Sequence, residues 1–244
     1  MHRRKFLKAS ALISAGAAGV CGLPLLTASK SRAADGQAPM GQRRMGMVID
    51  LGKCLPGCTA CVDACKKENN VNTFADGSRT VHRIRKVTIQ STLAGGGQKS
   101  MPLLCNHCDE PPCALVCPIQ ATYKRADGIV IVDPHRCMGC RYCMIACPYN
   151  ARYFNFYENT EQPNPAFPKR EHGVAESCDL CAHLLDQGKS PACVDACAKA
   201  NARAIVVGDL NDSSSEISAL VRNHPVKRLR EELGTKPKVY YLGL

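Results

Sequence analysis

Apolar runs in this chain are short, and most alternate with polar residues instead of recurring at helical spacing. Met45 to Leu51 is a β-like run, and Val81 to Gln90 alternates as a half-buried strand does. Gly128 to Val132 and Ala204 to Val207 are short apolar strands, and Lys238 to Leu242 reads as an edge strand. Helical patterning lasts single turns at Val62–Lys67, Ala114–Val116 and Met144–Ala146. Ser213-x-x-Glu216 is a capping-box signature that predicts a helix towards His224, and a second helix follows from Val226 to Leu233, stopping at Gly234. Ala94 to Gln98 is a glycine-rich loop; residues 158–172, rich in Pro, Asn and charge, form another. One long uncharged stretch, Ala9 to Leu26, is rich in Ala and Gly and broken by Pro24. It follows His2-Arg3-Arg4-Lys5-Phe6-Leu7-Lys8 and precedes the small-residue site Ser31-Arg32-Ala33. That order predicts a twin-arginine export signal over 1–33. An uncleaved membrane anchor is the alternative, and no other stretch is long and apolar enough to cross a bilayer.

Composition changes the picture. Aromatic residues make up 5% of the 244 and Trp is absent, so the apolar core is small. Seventeen residues are cysteine, and sixteen of them fall into four groups of four. The groups are Cys54, Cys58, Cys61, Cys65; Cys105, Cys108, Cys113, Cys117; Cys137, Cys140, Cys143, Cys147; and Cys178, Cys181, Cys193, Cys197. Cys21 stands apart, inside the export signal. Every group ends in C-x3-C, and the third reads C-x2-C-x2-C-x3-C-P, the bacterial ferredoxin run that holds a [4Fe–4S] cluster. The spacing has a reason. Such a loop wraps the backbone round a cubane, delivers three thiolates and turns amide N–H groups towards the sulfurs. The fourth cysteine follows on a short helix, where Pro118 and Pro148 turn the chain. A disulfide framework does not repeat C-x2-C so closely. Zinc sites use C-x2-C pairs but do not explain the triple run with its trailing C-x3-C-P. No C-x-x-C-H haem site is present. Four groups predict four [4Fe–4S] clusters, which act as staples where apolar core is scarce.

Charge then loses its usual meaning. The formal +11 falls to +5 once the six Lys/Arg of residues 1–33 are set aside. Each oxidised cluster with its four thiolates contributes about −2, which takes the loaded protein to about −3 and leaves nucleic-acid binding without support. Lys53, Lys66, Lys67, Arg136 and Arg141 lie beside the motifs and offset cluster charge or are ordinary solvated side chains. His107 and His135 read as polar surface residues. The cysteine-free tail, 213–244, reads as surface packing.

With these residues in view, the chain resembles the four-cluster iron–sulfur subunits of the dimethyl sulfoxide reductase superfamily, which partner NrfD-type quinone-handling membrane proteins. The resemblance rests on Cys105-x2-Cys108-x4-Cys113-x3-Cys117-Pro118, on Cys137-x2-Cys140-x2-Cys143-x3-Cys147-Pro148 and on Cys178-x2-Cys181-x11-Cys193-x3-Cys197. The stretch Cys105-Asn-His-Cys-Asp-Glu-Pro-Pro-Cys113 and the ending Leu-Gly-Thr-Lys-Pro-Lys-Val-Tyr-Tyr-Leu242 add to it. Within the superfamily the chain is most similar to DsrO-type subunits of the sulfur-metabolism Dsr membrane complex; nitrite-type and tetrathionate-type subunits compete.

The resemblance implies an α+β fold of two interlocked bacterial ferredoxin-like domains, loop-rich with short strands and helices. Residues 34–100 plus 171–212 form the first, 101–170 a nested second, and 213–244 a helical tail. It also implies crossed ligation: Cys54, Cys58 and Cys61 with Cys197; Cys178, Cys181 and Cys193 with Cys65; Cys105, Cys108 and Cys113 with Cys147; Cys137, Cys140 and Cys143 with Cys117. The implied partners are an NrfD-like membrane subunit, a c-type cytochrome and a heterodisulfide-reductase-like subunit.

One departure is the first group, where Cys54-Leu-Pro-Gly-Cys58 has three residues between cysteines and the family has two. C-x3-C-x2-C is also the spacing of radical S-adenosylmethionine enzymes, but the alternating strands and helices of their barrel are missing. The reading is a non-catalytic electron carrier, periplasmic and held at the outer face of the inner membrane by its partners. A tetrathionate-, polysulfide- or nitrite-type reductase subunit is the alternative, with a radical enzyme or a zinc protein as different-class readings.

Overall fold

The strand β1 (Met45–Asp50) shows how this chain builds a core. Its residues alternate between two faces, as a pleated strand requires. Met45, Met47 and Ile49 pack with cysteines of three groups, while Val48 packs with Ile217 and Tyr240 on the other side. The computed structural model describes residues 43–71, 73–74, 77–90 and 97–244. The export-signal region and most of the 94–98 loop lie outside them.

β1 is central in a four-stranded sheet of order β8-β1-β10-β9. It runs antiparallel to β8 (Ile205–Asp209), with Met45 opposite Asp209, and parallel to β10 (Val239–Leu242), with Met47 opposite Val239. β10 in turn pairs antiparallel with β9 (Val226–Arg228). Three two-stranded ribbons complete the strands: β2 (Ile84–Gln90) with β3 (Gln98–Leu104), β4 (Thr122–Lys124) with β5 (Val130–Val132), and β6 (Tyr153–Phe154) with β7 (Ala175–Glu176). The helices are α1 (Ala60–Glu68), α2 (Pro112–Leu115), α3 (Tyr142–Ala146), α4 (Ala182–Leu185), α5 (Ala192–Lys199) and α6 (Glu216–Asn223). α1 packs on α5, and α2 on α3. No helix among the described residues is long and apolar enough to cross a membrane.

The 213–244 tail departs from expectation in four ways. Its helix α6 is capped by Ser215, whose Oγ accepts from Ser218 N at 3.3 Å, so Glu216 opens the helix and Ser213 lies outside it. Val226–Arg228 is a strand because its alternating residues find Tyr240–Leu242 as partners, which outweighs helix propensity. The helical remnant is a 3₁₀ turn at Glu231–Leu233, ended by Gly234 in the left-handed region as expected (φ 68°). β10 is an interior strand, flanked on both sides, because Val-Tyr-Tyr-Leu is apolar enough for burial on both faces.

The tail therefore threads the core. Tyr241 is 0% exposed and its hydroxyl donates to Pro102 O at 3.0 Å. The backbone before it straps the Cys105–Cys113 loop: Asp109 N donates to Lys236 O at 2.9 Å, Glu110 N to Thr235 O at 3.1 Å and Lys238 N to Asn106 O at 2.8 Å. Lys238, 0% exposed, carries its charge inwards to Gly128 O at 2.5 Å and Asp109 Oδ1 at 3.3 Å. A buried ammonium is tolerated because it is paired.

Tyr241→Ala should destabilise the holo-protein by about 3–5 kcal/mol, the usual cost of emptying a buried aromatic site, and Tyr241→Phe by about 1 kcal/mol for the lost hydrogen bond. Anaerobic chemical denaturation followed by loss of cluster absorbance measures both. Equal midpoints for wild type and Tyr241→Ala would show that the tail is peripheral.

Candidate metal centres

The four C-x2-C and C-x3-C turns share one backbone device. The residue before the second cysteine is left-handed in each: Gly57 (φ 69°), His107 (φ 43°), Gly139 (φ 76°) and Leu180 (φ 55°). A left-handed residue there curls the chain so that successive N–H groups face one concavity. The widened first turn keeps this device, and Lys86 pins it by donating to Cys58 O at 2.6 Å and Leu55 O at 3.1 Å. The third cysteine of each group lies on a short helix, and α1 also carries Cys65 and α5 also carries Cys197.

Thiols from different groups come together in the fold. Cys105, Cys108, Cys113 and Cys147 line one cavity. Cys117, Cys137, Cys140 and Cys143 line a second. Cys61 feels the charges of Cys54, Cys197 and Cys58. Cys178 feels those of Cys65, Cys193 and Cys181. None of the sixteen is paired in a disulfide. Burial pushes the Cys61 thiol up to about 11 and those of Cys65 and Cys105 up to about 12. Lone thiolates are unfavourable in such places, so these anions need a metal to hold them.

Donors face the sulfurs. Thr122 N reaches Cys117 Sγ at 3.4 Å, Ala175 N reaches Cys137 Sγ at 3.4 Å, Leu180 N reaches Cys178 Sγ at 3.4 Å and Ala204 N reaches Cys197 Sγ at 3.2 Å. Asn69 Nδ2 approaches Cys65 Sγ at 3.7 Å and Cys181 Sγ at 3.8 Å. Arg152, 4% exposed, donates from Nη2 to Cys113 Sγ at 3.1 Å, and its buried Nε and Nη1 reach no acceptor among the described residues. Cavities lined by four thiols, amides aimed at the sulfurs and an unpaired guanidinium fit a sulfide-rich anion. Among the described residues no three His, Cys, Asp or Glu side chains converge on a single ion.

Comparison with known proteins agrees. A family model described as a 4Fe-4S dicluster domain matches residues 98–209. The Hdr-like menaquinol oxidoreductase iron-sulfur subunit 1 of Archaeoglobus fulgidus is 41% identical over 268 aligned residues, covering 100% of this chain and 98% of that protein. A tetrathionate reductase subunit of Salmonella typhimurium is 38% identical, covering 99% of this chain and 88% of its own. Protein NrfC of Escherichia coli K12 is 40% identical, covering 81% and 79%. The chain belongs to the [4Fe–4S] dicluster ferredoxin family of iron–sulfur subunits. Its cofactors are four [4Fe–4S] clusters, each of which exchanges single electrons when bound.

Several groups around the subunit's quartets left no mark in the cysteine spacing. Arg83 lies buried beside the Cys65 quartet, with Nη1 2.9 Å from Asp179 and Nε 3.4 Å from Glu176. Burial works against its charge, but the two carboxylates outweigh it. Burial would raise the Asp179 carboxyl, yet Arg83 and Arg170 hold it down to about 2. Three of the five cations beside the motifs have other partners: Lys53 pairs with Asp50, Arg136 donates to Ile119 O, and Arg141 lies over the Phe154 ring. His135 is exposed beside Glu171, as expected. His107 is not a surface residue. It is 1% exposed and its Nδ1 accepts from Val130 N at 3.1 Å, because the left-handed turn points it into the fold; burial lowers its pKa to about 3.

Gly139 separates geometry from space. Its φ is positive, and a Cβ there would meet Gly173 O at 2.4 Å, whereas a Cβ at Gly57 meets nothing within 4 Å. Gly139→Ala should cost the loaded protein one cluster, about four irons of its complement, while Gly57→Ala adds about 1–2 kcal/mol of backbone strain and keeps the metal. Iron analysis of both variants reads this; equal retention would show that the Cys137–Cys140 turn tolerates a side chain.

Proposed function

We propose that this subunit relays single electrons along four [4Fe–4S] clusters, between an NrfD-like quinone-handling membrane subunit and further redox partners. The observation that supports this reading is that thiols of different groups lie together, with Cys147 beside Cys105, Cys108 and Cys113 and Cys117 beside Cys137, Cys140 and Cys143. The ligand sets are Cys54, Cys58, Cys61, Cys197; Cys65, Cys178, Cys181, Cys193; Cys105, Cys108, Cys113, Cys147; and Cys117, Cys137, Cys140, Cys143. The packing of α1 on α5 and of α2 on α3 supports this exchange, and with it two interlocked ferredoxin-like domains with residues 101–170 nested inside the first. Cys197 beside Cys54, Cys58 and Cys61 favours a closed carrier site over an open radical-enzyme iron. The protein's part is to hold the clusters apart from water, set their spacing and tune their potentials.

The finer reading is a periplasmic, DsrO-type subunit of a sulfur-metabolism complex, with a c-type cytochrome and a heterodisulfide-reductase-like subunit as partners. Similarity over the whole chain to an Hdr-like menaquinol oxidoreductase subunit supports it. Similarity of the same extent to the tetrathionate reductase subunit supports a tetrathionate- or nitrite-type complex about equally. Co-purification from solubilised membranes decides: cytochrome c and a heterodisulfide-reductase-like subunit mark the first reading, a molybdenum subunit the second. In either complex a menaquinol analogue should reduce the clusters, and clusters that stay oxidised in the intact complex would refute the relay.

Two variants test the remaining parts. Cys197→Ser should perturb the same paramagnetic signal as Cys54→Ser and leave that of Cys178→Ser intact; the opposite pattern means that each group ligates its own cluster. Arg3→Lys with Arg4→Lys should strand folded, brown protein in the cytoplasm, and undiminished export would remove the twin-arginine reading.

A further inference from the structure

Each ferredoxin-like half buries arginine among its thiols, but the two halves treat that charge differently. Beside the Cys65, Cys178, Cys181 and Cys193 quartet, Arg83 and Arg170 face Asp179 and Glu176, with Arg83 Nη1 2.9 Å from Asp179 and Arg170 Nε 3.8 Å from Glu176. Two cations and two carboxylates leave that quartet in a locally neutral setting. Beside the nested quartets, Arg152 has no carboxylate partner among the described residues. Its one hydrogen bond among them goes to Cys113 Sγ at 3.1 Å, and Nε and Nη1 are buried with no acceptor there. The anions its charge acts on are Cys113, Cys105, Cys143 and Cys147, drawn from both nested quartets. An unpaired buried guanidinium is strongly unfavourable, so its counter-ion here is the pair of cysteine-bound centres.

We propose that Arg152 is a positioning charge for electron transfer, which holds the reduction potentials of the two nested clusters above that of the Cys65, Cys178, Cys181 and Cys193 cluster. The inference rests on the ligand sets proposed above. Reduction adds an electron to a centre that already carries about −2. A fixed positive charge in a dry, low-dielectric site favours that step, while a neutralised one does not. Backbone amides do not separate the sites, because amides reach sulfurs in both halves: Ala175 N and Thr122 N in one, Leu180 N and Ala204 N in the other. Lys86, near Cys61, is half-buried, and water screens it more than it screens Arg152. Electrons therefore meet a step in potential where they pass between the halves.

Redox titration of anaerobically purified holo-protein, followed by electron paramagnetic resonance and assigned through single Cys→Ser variants, tests this. In the wild type the Cys105 and Cys117 quartets should titrate above the Cys65 quartet. Arg152→Gln should lower both nested midpoints, the Cys105 quartet further, and leave the other two in place. Arg152→Lys, which keeps the charge, should recover at least half of the shift. Nested midpoints at or below that of the Cys65 quartet overturn the proposal; so does Arg152→Gln with full iron and unmoved midpoints, or Arg152→Lys shifted as far as Arg152→Gln. Should Arg152→Gln lose nested iron, the wild-type order decides. Failure of the ligand sets would show separately, as signals in the Cys→Ser series that group differently, whatever their midpoints.

Discussion

Four sulfurs must surround each of four [4Fe–4S] clusters, and the rest of the fold follows from that requirement. Each convergence closes a long loop. Cys54 and Cys197 are brought together across most of the described chain, and Cys65 and Cys178 nearly as far. Closing such loops costs conformational entropy, which metal binding offsets as part of the folding free energy. The scarcity of aromatic residues is then no defect. The apolar residues that exist, such as Met47, Ile49 and Leu180, are placed to seal the thiols from water.

The site was far more legible in the sequence than the fold around it. Cubane ligation is a local chelation, so its spacing is written in consecutive residues. Strands β1, β2, β5 and β8 were visible for the same reason: their alternation or apolar run is local. What escaped was non-local. Val226–Arg228 reads as helix until Tyr240–Leu242 lies beside it, and β10 reads as an edge until β9 covers it. His107 looks polar and exposed until the left-handed turn between Cys105 and Cys108 directs it inwards. Arg83, Arg152 and Arg170 lie outside the cysteine motifs, and only tertiary packing brings them to the thiols.

The buried charges explain why so polar a core is tolerated. Asp179 stays ionised because Arg83 and Arg170 outweigh its burial. Burial lowers the pKa of the Lys238 ammonium, which Asp109 and the Gly128 carbonyl support. Breaking one partner of such a pair leaves the other stranded.

The central claim is that four quartets of thiols each hold a [4Fe–4S] cluster. Iron and acid-labile sulfide, measured per polypeptide in anaerobically purified and fully loaded protein, test it most directly. Four clusters predict about sixteen of each, with a diamagnetic oxidised state that becomes paramagnetic on reduction. A fully loaded preparation that holds half as much, or one atom of zinc per quartet and no sulfide, would contradict it.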